Sequence, residues 1–261
     1  MKSLFSFPRI TKRAWKVWYR NMVVFVRTWQ VNFFPPLVEA LLYLFAIGLG
    51  IGSYVHDING IPYVNFIAPA ILAIAAMNSA FFECTYGSYV RMYYQKSFDA
   101  MIATPLSIED VIAGELLWGA TRSVIYVAIM LPVLAAFGVI SLPLAILTIP
   151  FGFLGGLMFA GIAMCFTAIS PGIDTLNYPS FLFITPMALF SGTFFPLTLM
   201  PLLLQYVALV LLPLTHLVAI MRMLTLPALT WSILLDFTWI VVVTAFFCIL
   251  SINLMKRRLI V

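Results

Sequence analysis

The sequence predicts an all-α integral membrane protein. It has six transmembrane helices, both termini in the cytoplasm, an N-terminal interfacial amphipathic helix, and a re-entrant helical hairpin between the fifth and sixth spans. Three observations predict it. Hydrophobic residues fill 64% of the 261 positions and charged residues only 9%, where a soluble domain carries roughly 25% charge. The charges are confined to narrow bands, and the apolar stretches between them have lengths near the roughly 20 residues that cross a bilayer core. Thirteen of the 14 Lys and Arg residues fall on one side of the resulting topology, the bias that marks the cytoplasmic face.

Residues 1–34 precede the first span. Arg9, Arg13, Lys16, Arg20 and Arg27 recur at spacings of four, three, four and seven, hence on one helical face, while Trp15, Trp18, Met22, Phe25 and Trp29 repeat on another. A basic face opposed to an aromatic one predicts a helix lying in the membrane interface, its cations near lipid phosphates. The alternative is a positive patch of no particular shape that only sets topology. The net charge of +5 sits beside spans in this way and gives no reason to expect nucleic acid. No uninterrupted apolar core precedes Phe33, so these residues do not read as a cleaved signal peptide.

The transmembrane domain, 35–254, opens with a span at 35–55 whose one charge is Glu39. A polar hairpin, HDINGIPY at 56–63, leads to the span 64–82, and a cytoplasmic segment of mixed charge occupies 83–115. The 51 uncharged residues between Arg122 and Asp174 suit two spans, 116–137 and 144–169, around a tight turn at Gly138–Pro143. Arg122 would lie inside the third span and snorkel back to the cytoplasm. The fifth span is 178–195. Beyond it, Pro196, Pro201 and Pro213 break the chain into apolar pieces of about a dozen residues, short for a core roughly 30 Å thick. The last span, 231–254, ends in the cytoplasmic tail 255–261 with Lys256, Arg257 and Arg258. Basic residues at both ends demand an even number of crossings, so 196–221 enters and returns on one side. Irregular backbone at that depth is tolerated where protein or a water-filled cavity covers it. A surface-lying amphipathic loop is the other reading.

Within 83–115, Ser97 reads as the cap of a short helix running through Ala103, which Thr104-Pro105 stops. Ser107 with Asp110 then forms a capping box opening the next helix. A segment this long between otherwise tight connections points to function. Groups suited to catalysis are sparse. His56 and His216 map to outer loops with no carboxylate partner evident in sequence. Glu39, Glu83, Glu115 and Asp236 fall near predicted helix ends and read as anchors or as partners of Arg122 and its neighbours. A proton-coupled carrier would keep an ionisable group deep in the bundle, and none is evident. Cys84, Cys165 and Cys248 form no CxxC or Cys/His cluster, so neither a disulfide framework nor a zinc site is expected. No GxxxxGK[ST] occurs, so the chain has no P-loop for hydrolysing ATP itself. No catalytic residue, cofactor or metal is expected on it.

Several stretches, in order, carry a family likeness: PLVEALLYLFAIGLGIG at 36–52, NGIPYVNFIAPAI at 59–71, FFECTYGSYVRM at 81–92, SFDAMIATPLSIEDVIAGELLWGATRS at 97–123, ITPMALFSGTFFPLTLMP at 184–201 and LPLTHLVAIMR at 212–222. They resemble the membrane subunits of type-2 ABC exporters, above all the nodulation-factor (NodJ-type), polysaccharide and drug exporter permeases. The resemblance implies that two such subunits pair, as a homodimer or with a related permease, and that each docks a separate ATP-binding subunit carrying the ATP and magnesium. It assigns Ser97, Phe98, Asp99, Ala100, Met101, Ile102, Ala103, Thr104 and Pro105 as the coupling helix that receives the ATP-driven motion. The basic N-terminal helix becomes an interface helix beside that subunit, and 196–221 the re-entrant element capping the translocation path. The implied activity is export, from the cytoplasmic leaflet of the inner membrane, of an amphipathic or lipid-linked molecule such as a glycolipid, lipo-oligosaccharide or polysaccharide. Drug efflux is the nearest alternative, and a lipid-modifying membrane enzyme is an alternative of another class.

Overall fold

The computed structural model describes residues 7–50, 52, 54–55, 57–58, 60–226 and 230–259, and His56 lies outside them. Helix α1 (Ala14–Arg27) ends at Thr28, whose φ of −114° breaks the helical run. Helix α2 (Trp29–Phe45) starts at once and continues as a π-helical turn, Ala46–Gly50. The first long helix thus begins six residues before the expected position 35, with Pro35 and Pro36 inside it. Each proline forfeits one backbone donor, which helices in apolar surroundings tolerate when neighbours compensate. The short strands β1 (Asp57–Ile58) and β2 (Ile61–Pro62) pair antiparallel around Gly60, whose φ of +77° suits a residue without a Cβ.

Helix α3 runs from Tyr63 to Tyr94, 32 residues, about 48 Å at the usual helical rise. That exceeds the roughly 30 Å hydrocarbon core. The sequence reading closed this helix at Phe82; the structure carries it three turns further through π-helical turns at Glu83–Gly87 and Val90–Tyr94. The sequence places Glu83 at a helix boundary and Arg91 in the cytoplasmic segment; in the structure they pair with each other along α3 and reach Glu115, Trp118 and Arg122 of the next long helix. Helix α4 (Ser97–Ile102) follows a residue in left-handed conformation, Lys96 with φ of 53°. No side chain caps α4, so Ser97 is its first residue and not its cap, a correction to the expectation.

Helix α5 (Ile108–Ala136) opens with the expected capping box between Ser107 and Asp110. It starts eight residues before the predicted span, because the box nucleates it there. Helix α6 (Leu144–Ile169) has the predicted limits. Helix α7, residues 177–190, stops short of 195, where Gly192 at φ of +72° turns the chain. Helices α8 (Leu202–Leu211) and α9 (Pro213–Thr225) meet at 89°. The three prolines of this region begin elements instead of only interrupting one. Pro196 precedes a 3-10 turn, Pro201 precedes α8, and Pro213 is the first residue of α9, where a missing N–H costs nothing. Helix α10 (Ser232–Leu259) closes the fold, its last turn carrying Lys256, Arg257 and Arg258.

Among the described residues, α3, α5, α6 and α10 are long and apolar enough to cross a membrane, and α8 with α9 makes a fifth crossing if the bent pair is one span. Helix α6 is central, packed on α3, α5 and α10. Small residues bring these helices close: a Cβ on Gly119 would lie 2.5 Å from Cys84 Sγ and 3.0 Å from Ala160 Cβ, and one on Gly156 2.5 Å from Ser123 Oγ. Helix α3 is buried on nearly all sides, whereas Leu202, Leu203 and Tyr206 of α8 and Leu235 and Val242 of α10 are exposed. Outward-facing apolar surface on that scale is what lipid covers.

Candidate functional site: a charged junction at the basic end

The basic end of the bundle gathers α1, α4, the start of α5 and the last turns of α3 and α10. Helix α1 lies directly on α5. A Cβ on Gly114 would sit 2.5 Å from Val17 Cβ and 2.7 Å from the Ala14 carbonyl oxygen, so glycine is what permits the approach. Ala14, Val17 and Asn21 are buried along this seam. Trp18 Nε1 donates to Thr121 Oγ1 at 2.8 Å, and Phe25 meets Trp118 edge to face at 5.6 Å.

Under α1 lies a network of buried charge. Glu115 is fully buried, and every one of its oxygen contacts is a donor. Arg91 reaches Oε2 through Nη2 at 2.6 Å and Nε at 3.0 Å. Ser88 Oγ donates to the same oxygen at 2.8 Å, and Asn21 Nδ2 donates to Oε1 at 2.8 Å. Glu83 accepts from Arg91 Nη1 at 2.8 Å and Trp118 Nε1 at 2.9 Å, and its other oxygen lies 3.6 Å from Arg122 Nε. Arg122 donates to Asn32 Oδ1 of α2 at 2.6 Å. Carboxylates taken out of water are costly unless paired and fully hydrogen-bonded, and here α1, α2, α3 and α5 supply the partners. Beside the network a cavity of about 230 Å³ is lined by Arg20, Asn21, Asn32, Glu83, Arg91 and Arg122, among others.

Helix α4 projects next to this junction. Phe98 is fully buried and anchors it, Met101 and Ile102 pack against the core, and Asp99, Ala100, Ala103, Thr104 and Pro105 are exposed. Arg20 of α1 donates to Ser97 Oγ at 3.0 Å, and Arg13 donates to the Pro105 carbonyl oxygen. The chain before α1 is tied to the α5 N-terminus: the Arg9 backbone N–H donates to Glu109, and Thr11 donates to Asp110 through its backbone at 2.6 Å and its hydroxyl at 3.0 Å. Lys256 of α10 pairs with Glu109, and Arg258 donates to the Thr167 carbonyl oxygen. Six helices therefore converge on one rigid cluster with α4 at its edge.

The predicted residues separate accordingly. The side chains of Arg13 and Arg20 tie the start and middle of α1 to the α4 segment, Arg9 is exposed and contacts α5 only through its backbone, and Lys16 and Arg27 are exposed. Trp18 and Phe25 turn to the protein, while Trp15 and Trp29 face outward. Glu83 and Glu115 belong to the junction. Glu39 lines an adjoining pocket with Asn78 and Tyr126 that shares Glu83 and Arg122 with the junction. Asp236 is at the opposite end, with Oδ1 2.6 Å from His216 Nδ1. His216 is thus a buried residue of α9 with a carboxylate partner, correcting the outer-loop placement. Asn21, Trp118 and Arg91 were missed as site residues. Apart from contacts within one helix, such as the Arg91–Glu83 pair eight residues apart along α3, their charged or polar partners in the junction are 24 to 94 residues away, beyond any local spacing rule.

At the opposite end, Arg222 of α9 stacks over Phe66 at 3.9 Å and donates to the Gly192 carbonyl oxygen at 3.0 Å. Tyr63 donates to the Phe194 carbonyl oxygen at 3.1 Å. The 191–196 turn is held to α3 and α9 by these bonds.

Comparison with known proteins gives a consistent result. The profile of the family described as ABC-2 type transporter matches residues 12–226, from the chain just before α1 through α9. Nodulation protein J of Sinorhizobium fredii (strain NBRC 101917 / NGR234) is 34% identical across 93% of this chain and 92% of its own length. Nodulation protein J of Rhizobium leguminosarum bv. trifolii is also 34% identical, with the same coverage. The inner membrane transport permease YadH of Escherichia coli (strain K12) is 26% identical across 71% of this chain and 72% of its own. No solved structure matches significantly. A family match over most of the length, relatives alike nearly end to end, and a bundle of long apolar helices agree: this chain belongs to the ABC-2 type transporter family and is a multi-pass membrane permease.

Proposed function

We propose that the chain is the transmembrane subunit of an ATP-driven exporter in the inner membrane, with α4 as the helix that receives motion from a separate ATP-binding subunit. The observation that carries this reading is the placement of α4. It is a six-residue helix anchored by the buried Phe98, bonded to α1 through Arg20, and presenting Asp99, Ala100 and Ala103 outward. A docking partner that pushed on that surface would move α1, α3 and α5 together, because the buried network makes them one body. The long-range carriers of conformational change are rigid packed elements of this kind.

In this reading the basic end faces the cytoplasm and the helices make six crossings: α2, α3, α5, α6, α7 and α10. Helices α8 and α9 form the re-entrant hairpin, a reading that their 89° bend supports. Helix α1 lies in the interface with Trp15 and Tyr19 toward lipid. Two copies of the chain, or one copy and a related permease, pair with two ATP-binding subunits, on which ATP and magnesium reside. The similarity to Nodulation protein J supports an amphipathic or lipid-linked cargo, a glycolipid, lipo-oligosaccharide or polysaccharide. Reconstitution of the purified complex in liposomes tests this: ATP turnover is expected to rise with lipid-linked saccharide. Stimulation by hydrophobic drugs alone would replace that cargo with drug efflux.

A further inference from the structure

The opposite end of the bundle contains a hydrogen-bond arrangement that specifies a proton. His216 Nδ1 lies 2.6 Å from Asp236 Oδ1, and Nε2 lies 2.9 Å from the Leu209 carbonyl oxygen. A carbonyl oxygen only accepts, and an ionised carboxylate only accepts. A neutral imidazole has one N–H, so it cannot satisfy both contacts unless Asp236 itself holds a proton. In either arrangement the pair shares one proton beyond those of a neutral imidazole and an ionised carboxylate. The Trp239 ring supports placing it on the imidazole: it stacks on His216 with centroids 4.1 Å apart, and an indole face favours a cation.

The three contacts join three helices across the sharpest bend in the fold. Leu209 is in the last turn of α8, where carbonyls lack helical partners, so His216 caps α8 from the far side of the 89° corner. Asp236 and Trp239 are on α10. His216 also sits in the first turns of α9, where a cation opposes the helix dipole and needs the Asp236 carboxylate beside it. Other titratable groups on the packed elements are engaged elsewhere or uncharged. Arg222 of α9 is directed to Gly192 and Phe66, Tyr63 of α3 donates to Phe194, and α8 offers only Tyr206, which is exposed. Helix α6 and residues 191–201 carry no acidic or basic side chain. Among the described residues Asp236 is the one charged group within ion-pair distance of His216.

From this geometry we infer that His216 and Asp236 form a proton-binding site whose single bound proton clamps the α8–α9 corner onto α10. Loss of the proton leaves one ring nitrogen lone pair facing an oxygen, which repels it, and frees the corner. A second proton, on Asp236, removes the charge assistance. The clamp is therefore tightest with one proton bound and loosens on either side.

The chain has only two histidines, which makes the test direct. In the full chain, labelled with ¹⁵N-histidine and with His56→Gln to leave one signal, His216 is expected at neutral pH as an imidazolium with both nitrogens protonated. A neutral single tautomer at neutral pH overturns the assignment without any change at the site itself. Asp236→Leu, whose side chain can neither accept from nor donate to Nδ1, should convert His216 to neutral imidazole at the same pH and raise deuterium uptake in residues 202–216 by tenfold or more, whereas Asp236→Glu should keep both as in the unsubstituted chain. Unchanged exchange in Asp236→Leu would mean that the proton-mediated contact does not hold the corner.

Discussion

Arg91 and Glu115 meet through two hydrogen bonds to one carboxylate oxygen, 2.6 and 3.0 Å, on helices that the sequence separates by a short helix and two turns. The same carboxylate takes Asn21 through its other oxygen. One side chain thereby records the relative position of α1, α3 and α5.

Removing one partner of this pair should destabilise strongly. Glu115→Leu leaves Arg91 with Glu83 alone in a buried setting, a loss of about 3–5 kcal/mol for a buried charge stripped of its partner. Thermal unfolding in detergent checks it. The double variant Glu115→Leu with Arg91→Met should recover part of the loss, because Arg91 is no longer left short of a partner, while Glu83 keeps only Trp118 and the more distant Arg122.

The seam between α1 and α5 should be sensitive to volume at one position. Gly114→Val places methyl groups inside the space of Val17 and the Ala14 carbonyl, so α1 must lift away. Limited proteolysis is expected to cut near residues 9–28 in the variant while α3, α5 and α6 remain protected. Gly172→Val, at a site with no atom near its Cβ, serves as a control and should behave as wild type.

Anchoring and docking should separate within α4. Phe98→Ala removes a fully buried aromatic ring, a change worth about 3–5 kcal/mol where the site cannot collapse. It is expected to leave a partner subunit bound and to uncouple ATP turnover from transport. Transport and ATPase rates measured on one liposome preparation would show the split.

The Lys256–Glu109 pair, in contrast, is partly exposed. Lys256→Ala should cost no more than about 1 kcal/mol, falling further with salt, as for surface pairs. The melting temperature at low and high ionic strength measures it.

How far the sequence could be read depended on where each residue finds its partners. Helix α6 was legible to the residue because its boundaries are marked by proline, glycine and the absence of charge. The start of α5 was legible because Ser107 and Asp110 cap it locally. The last turns of α3 were not, since a run of polar and charged residues after Phe82 reads as the end of a span until α5 supplies Glu115, Trp118 and Arg122 as partners. The α1 faces were half legible: the periodicity located the helix, but Trp18 and Phe25 turned inward with Asn21 while Trp15 and Trp29 did not. His216 and Asp236 are 20 residues apart on different helices, so their pairing is a product of tertiary structure. Short periodicities predict an element and its buried side, whereas the junction is assembled from contacts across as many as 147 residues.

The central claim is that the exposed face of α4 is where an ATP-binding subunit docks. Co-purification of that subunit with the wild-type chain, with Lys16→Ala, and with Ala103→Arg combined with Asp99→Lys tests it most directly. Both substituted residues of the double variant are exposed, so the fold should survive, as the Trp18 and Trp118 fluorescence would report. The account predicts that wild type and Lys16→Ala retain the partner and that the double variant loses it together with ATP-driven transport. Retention of both by the double variant would contradict it.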